Sequence, residues 1–169
     1  MTRRTLTVLT FSLAAFWIAL DQLTKLWAET ALVGQPRTPI LGGWFGLVLV
    51  YNPGAAFGLG AGFVWVLTVI AGIAVVVLIV AALRTHTFWW SLAIGSMLGG
   101  AVSHFFDRLL RGDTIGSGKI VDFIDYGGFF VGNVADIALV GAAIGSVLLS
   151  FLGVPFSPAE RPKPEPTQK

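Results

Sequence analysis

The stretch VDFIDYGGFFVGNVAD, residues 121–136, lies between two long apolar segments and sets two carboxylates at a membrane edge. Asp136 stands just before a charge-free run over residues 137–154, which the pattern predicts as a helix entering lipid. Asp122 is expected in a short loop ahead of Gly127 and Gly128. Two carboxylates at about 3 Å cannot both ionise, so a pair sharing one proton supplies an acid and a base at one pH. Such a dyad hydrolyses a peptide bond: the ionised member activates water and the protonated one polarises the carbonyl. Asp136 would face the free N–H groups of the helix start, with Asn133 in the preceding turn to cap or orient it. The residues alone leave a rival, a proton or ion pathway, because such pathways use intramembrane carboxylates. Against that rival, the acids gather at one surface and none lies in the middle of a span.

Outside this stretch the composition is that of an integral membrane protein. Of 169 residues, 55% are hydrophobic and only 12% charged, with a mean hydropathy of +0.81. The net charge of +2 is spread along the chain, so no basic stripe suggests nucleic acid. The absence of cysteine excludes disulfides, thiolate metal sites and a cysteine nucleophile. Neither a zinc HExxH nor a serine GxSG motif is present, and Ser103 and His104 sit next to each other on a helix, pointing apart.

Four spans are expected, at about residues 5–27, 63–83, 87–106 and 137–154. The first is taken as a membrane helix rather than a cleaved signal peptide, since the apolar run continues past residue 20 without a small-x-small site. Asp21 and Lys25 at its far end have the spacing of an i,i+4 ion pair. Between the first two spans, residues 44–51 are aromatic and β-branched and end at Asn52-Pro53-Gly54, predicting a strand and a turn on the membrane surface. Gly95/Gly99 and Gly141/Gly145 are spaced for close helix approach. Residues 158–169, rich in proline and charge, predict a disordered cytoplasmic tail behind a 1–157 membrane domain. Basic residues divide nearly evenly between the two faces, but Arg3, Arg4 and Arg84 flank short membrane ends and place the termini in the cytoplasm. Most of the acids then fall on the outer face.

Taken together, the motifs resemble lipoprotein signal peptidase, also called signal peptidase II, an aspartyl peptidase family. Asp21-Gln22-Leu23-Thr24-Lys25 resembles its DQxTK, residues 52–57 its NxGAAF, Asp107-Arg108 its DR, Val121-Asp122-Phe123 its VDF and residues 133–136 its NxAD, in the family's order and with actinobacterial spacing. The resemblance implies an all-α integral membrane protein of four transmembrane helices with a small extracytoplasmic β-cradle. It implies Asp122 and Asp136 as the catalytic pair. Asn52, Gly54, Arg108, Asn133 and His104 would orient substrate and aspartates, and Asp21, Lys25 and Asp107 would give structural support. The implied substrate is a bacterial prolipoprotein signal peptide, cut before a diacylglyceryl cysteine at the outer leaflet of the cytoplasmic membrane, with membrane lipids as the other partner and no metal or organic cofactor. The chain departs from the family pattern where Ser103 and His104 replace Gly-Asn, and where Gly132 replaces a phenylalanine and so removes an aromatic wall beside Asn133. Those departures keep a diverged, non-catalytic lipoprotein-binding copy as the alternative.

Overall fold

The computed structural model describes residues 1–55 and 58–157; the expected tail at 158–169 lies outside the described residues. Four long helices, α1 (Arg3–Ala31), α2 (Val64–Arg84), α3 (Phe88–Leu110) and α4 (Val134–Phe151), carry an antiparallel sheet of β1 (Thr38–Ile40), β2 (Phe45–Asn52), β3 (Ile120–Asp125) and β4 (Val131–Gly132). The strands lie in the order β1-β2-β3-β4. Among the described residues three helical segments, Arg3–Ala31, Ala61–Arg84 and Val134–Phe151, are long and apolar enough to cross a membrane. On α2 only Thr68 and Ala82 are buried, while Val69, Ile73, Val76 and Val77 face outward, as suits a helix with lipid as its solvent.

Helix α3 is less apolar because it occupies the middle of the bundle. It packs against α1, α2 and α4, and its buried face is built of Ser91, Gly95, Gly99, Gly100 and Ser103 among others. A Cβ at Gly95 would stand 2.7 Å from the Thr10 carbonyl oxygen, and one at Gly99 2.8 Å from that of Ala14. The first small-residue pair therefore admits the α1 backbone, as its spacing predicts. The second does not behave so: added Cβ atoms at Gly141 and Gly145 meet nothing within 4 Å, because α3 approaches α4 at Ala135 and Leu139 instead, through Gly100.

The ends of the bundle differ. Arg3 donates to the Leu83 carbonyl, and the indole N–H of Trp90 to that of Val154, which gathers the start of α1, the α2–α3 turn and the end of α4 at one end. At the other end α1 runs on to Ala31, beyond the expected residue 27, and packs against β3. Helix α3 likewise continues to Leu110, so Asp107 and Arg108 are helical; both find buried partners and have no need of a loop. Helix α4 begins at Val134, capped by Asn133, which places Asp136 inside its first turn.

Asp122 is in a strand, not in the expected loop. Residues 120–125 pair with β2, with Val50 opposite Asp122 and Asn52 opposite Ile120. Asn52 is two residues from Val50 and so shares the face of Asp122, the diagonal at which cross-strand side chains meet.

Candidate active site

Strand β3 delivers Asp122 and helix α4 delivers Asp136 into one cavity of about 380 Å³, which Asn52, Gly54, His104 and Arg108 also line. Each oxygen of Asp122 receives an amide. Asn52 Nδ2 donates to Oδ2 at 3.0 Å, and Asn133 Nδ2 donates to Oδ1 at 2.7 Å. Both amides are fixed in that sense, because Asn52 Oδ1 accepts the Gly54 N–H and Asn133 Oδ1 accepts the Asp136 N–H. Asp136 closes the capping box by accepting the Asn133 backbone N–H at 2.9 Å. One asparagine thus touches both acids.

Burial pushes the Asp122 carboxyl up, and the nearby Asp136 charge pushes it further; the Asn52 and Asn133 amides and the more distant Lys25 oppose them, leaving it at about 6. Desolvation prevails because the carboxyl is 3% exposed and each amide contributes only a partial charge. An acid poised in that range holds or gives up a proton near neutral pH, as general acid–base work requires.

His104 and Arg108, one turn apart on α3, both face the cavity. His104 Nε2 lies 3.2 Å from Asn133 Oδ1 and 3.5 Å from Asp136 Oδ1. Since Asn133 Oδ1 is a carbonyl oxygen and only accepts, Nε2 carries a hydrogen and donates. The guanidinium of Arg108 is engaged by backbone: Nη1 donates to Pro53 and Gly118 carbonyls at 2.8 and 3.0 Å, and Nη2 to the Gly54 carbonyl. Arg108 clamps the Asn52–Gly54 turn to the start of β3. A side chain at Gly54 would run into the Gly58 backbone, so only glycine permits that turn to fold so closely.

Behind the cavity lies a fully buried ion cluster. Lys25 Nζ stands 2.5 Å from Asp21 and 2.7 Å from Asp107. Asp21 Oδ1 accepts the Ala135 N–H at 2.8 Å, and Asp107 Oδ2 accepts the Val121 N–H at 3.4 Å. The supporting acids therefore hold the backbone immediately before each site acid. Ser103, a departure from the family pattern, donates to Asp21 Oδ2 at 2.7 Å, and Gln22 bridges Ser103 and Asp107. Arg111 pairs with Asp107 and Glu29. Glu29 and Arg111 were not singled out by sequence, although the i,i+4 spacing of Asp107 and Arg111 carried the signal.

Phe130 was missed as well. A Cβ at Gly132 would stand 2.7 Å from its ring and 2.8 Å from Asp136 Oδ2, so Phe130 occupies the space beside Gly132. The aromatic wall expected to be lost at position 132 is supplied from two residues earlier.

The model of a family described as signal peptidase (SPase) II matches residues 13–152. A lipoprotein signal peptidase of Bifidobacterium adolescentis is 43% identical over 140 residues, covering 83% of this chain and 74% of that one. One of Mycobacterium avium is 42% identical over 156 residues, covering 92% and 85%. A solved structure of a bacterial membrane enzyme has the same fold, with a TM-score of 0.74 at 23% identity over 92% of this chain and 93% of that one.

Proposed function

The chain belongs to the signal peptidase II family, and from its paired carboxylates we infer that Asp122 and Asp136 are the catalytic dyad of a multi-pass membrane peptidase. Its activity is that of an aspartic peptidase that removes signal peptides from lipoprotein precursors, and family membership does not favour the non-catalytic or ion-conducting alternatives. The single observation that carries the dyad is the Asn133 side chain, bonded to Asp122 while capping the helix of Asp136.

In this mechanism one carboxylate takes a proton from a water held between the acids. The water oxygen attacks the scissile carbonyl while the protonated carboxyl hydrogen-bonds to the developing oxyanion, and the leaving amine then receives a proton from the pair. Asn52, Asn133 and His104 hold the two acids in register. Gly54 and Arg108 fix the turn that walls the cavity, and Asp21, Lys25 and Asp107 lock the backbone behind it. The apolar side of the cavity faces α2 and α4, which suits entry of an apolar signal segment from lipid. Its end must unwind there, because helical backbone is already hydrogen bonded.

We propose further that all four helices span the bilayer within a 1–157 domain, α3 shielded by its neighbours. The substrate residue after the cut is a diacylglyceryl cysteine whose acyl chains remain among the membrane lipids. The termini are cytoplasmic and the dyad lies at the outer leaflet of the bacterial cytoplasmic membrane. The test is a gel-shift assay on a diacylglyceryl-modified prolipoprotein beside its unlipidated form. Asp122→Asn and Asp136→Asn should each abolish cleavage in a folded, inserted protein. Activity retained by either variant would end the dyad assignment, and equal cleavage of the unlipidated form would end the lipid requirement.

A further inference from the structure

Two hollows meet at Asp122. The dyad cavity opens toward Leu67, Ile70, Leu139 and Val140 of the apolar helices α2 and α4. A second hollow of about 300 Å³ lies on the sheet side, bounded by Val50, Pro53, Gly58, Gly128 and Val131. Asn52, Asp122 and Phe130 line both, so these side chains form the partition. Phe130 is seated over Gly132 and stacks on Tyr126, ring centroids 5.8 Å apart.

A peptidase holds its substrate on both sides of the bond it cuts, and the two sides of this substrate differ in chemistry. The signal segment is apolar and belongs with lipid. The polypeptide after the cut leaves the bilayer for water, and near the dyad it must be extended to expose its backbone. The hollow lies among strand and loop residues outside the apolar helices, and Gly58 and Gly128 let a backbone approach closely. We propose that this hollow is the subsite for the extended polypeptide that follows the scissile bond, with Phe130 on Gly132 as the wall it passes. The assignment rests on Asp122 and Asp136 being the catalytic pair. At about 300 Å³ the hollow is small for a ligand pocket, so it favours small side chains just after the cysteine.

Val50→Phe and Val131→Phe narrow the hollow from two different strands, at positions where an aromatic suits strand geometry. The substrates are diacylglyceryl-modified prolipoproteins with Gly or Phe as the residue after the cysteine, and a matched pair with the same change before the cut. Either variant should raise KM for the Phe substrate over the Gly one by about tenfold or more, the size of a steric penalty in a narrowed subsite, and leave the signal-side pair unmoved. A flat response, or an equal response to the signal-side pair, overturns the subsite. Should both variants fail to fold, a benzophenone side chain placed after the cysteine and irradiated with the Asp122→Asn protein gives a second readout. Crosslinks to residues 128–131 support the subsite, and crosslinks confined to α2 overturn it. Cleavage by Asp122→Asn would instead remove the dyad itself, which separates that failure from this one.

Discussion

The amide of Asn133 stands 2.7 Å from Asp122, and its oxygen accepts the N–H of Asp136. One side chain therefore sets the spacing between a strand acid and a helix acid. Asn133→Ala should lower kcat far more than it raises KM, and should destabilise the fold by about 1–2 kcal/mol through loss of the helix cap. Asn133→Ser keeps a capping acceptor but has no amide to reach Asp122, so it should regain the stability and not the activity. Thermal unfolding in detergent, run beside single-substrate kinetics, distinguishes the two losses; activity surviving in Asn133→Ser would contradict the bridging role.

The elevated Asp122 carboxyl, at about 6 against the usual 3.8, fixes the sign of two pH effects. The folded protein binds this proton more tightly than the unfolded chain does, so the stabilising contribution is full below about pH 3.8 and is lost as pH rises through 6. Asp122→Asn cannot ionise, and relative to its parent it should gain stability across that window, by at most roughly 3 kcal/mol. For the proposed dyad the singly protonated pair would be the active form, so kcat/KM should fall on the alkaline side with a midpoint near 6, a value that belongs to the pair. A parent and variant whose melting curves run parallel from pH 4 to 7 would contradict the burial argument.

His104 must donate from Nε2, because the oxygen it meets already accepts the Asp136 N–H. His104→Leu should cost about tenfold in kcat with little change in KM, the worth of one hydrogen bond that positions Asn133 between the two acids. His104→Asn restores an N–H donor and should recover much of the rate. Equal losses in both variants would mean that the ring serves as filler and not as donor.

Lys25 sits between two carboxylates with no exposed surface on any of the three side chains. Lys25→Met leaves Asp21 buried without a counter-charge and Asp107 with Arg111 alone, and should destabilise the protein by about 3–5 kcal/mol. Because Asp21 and Asp107 hold the backbone ahead of Asp136 and Asp122, activity should fall with it. A stability loss under about 1 kcal/mol, measured by thermal unfolding in detergent, would show that the cluster is not the anchor of the site.

The membrane character, the strand before Asn52 and the small-residue contact at Gly95 and Gly99 were legible in sequence, because each rests on local composition or a fixed period. The element limits were less so. Helices α1 and α3 run beyond the expected ends because Glu29, Asp107 and Arg108 find partners on other elements, and a charged residue reads as a boundary until its partner is known. Gly141 and Gly145 carry the same signal as Gly95 and Gly99, yet α3 meets α4 elsewhere; spacing permits an approach without requiring it.

The sequence by itself determined the chemistry available: two aspartates near the start of an apolar helix, an asparagine ahead of it, no cysteine, and an ordered set of motifs. Those are properties of residue type and local spacing. Only the tertiary structure decided that Asp122 lies on a strand facing Asn52, that Arg108 spends its donors on the Pro53–Gly54 turn, that Ser103 serves Asp21, and that Phe130 takes the place beside Gly132. Each depends on segments far apart in the chain being brought within hydrogen-bond or van der Waals reach, and a distance of a few ångströms between remote residues is set by packing of the whole bundle, not by any single stretch.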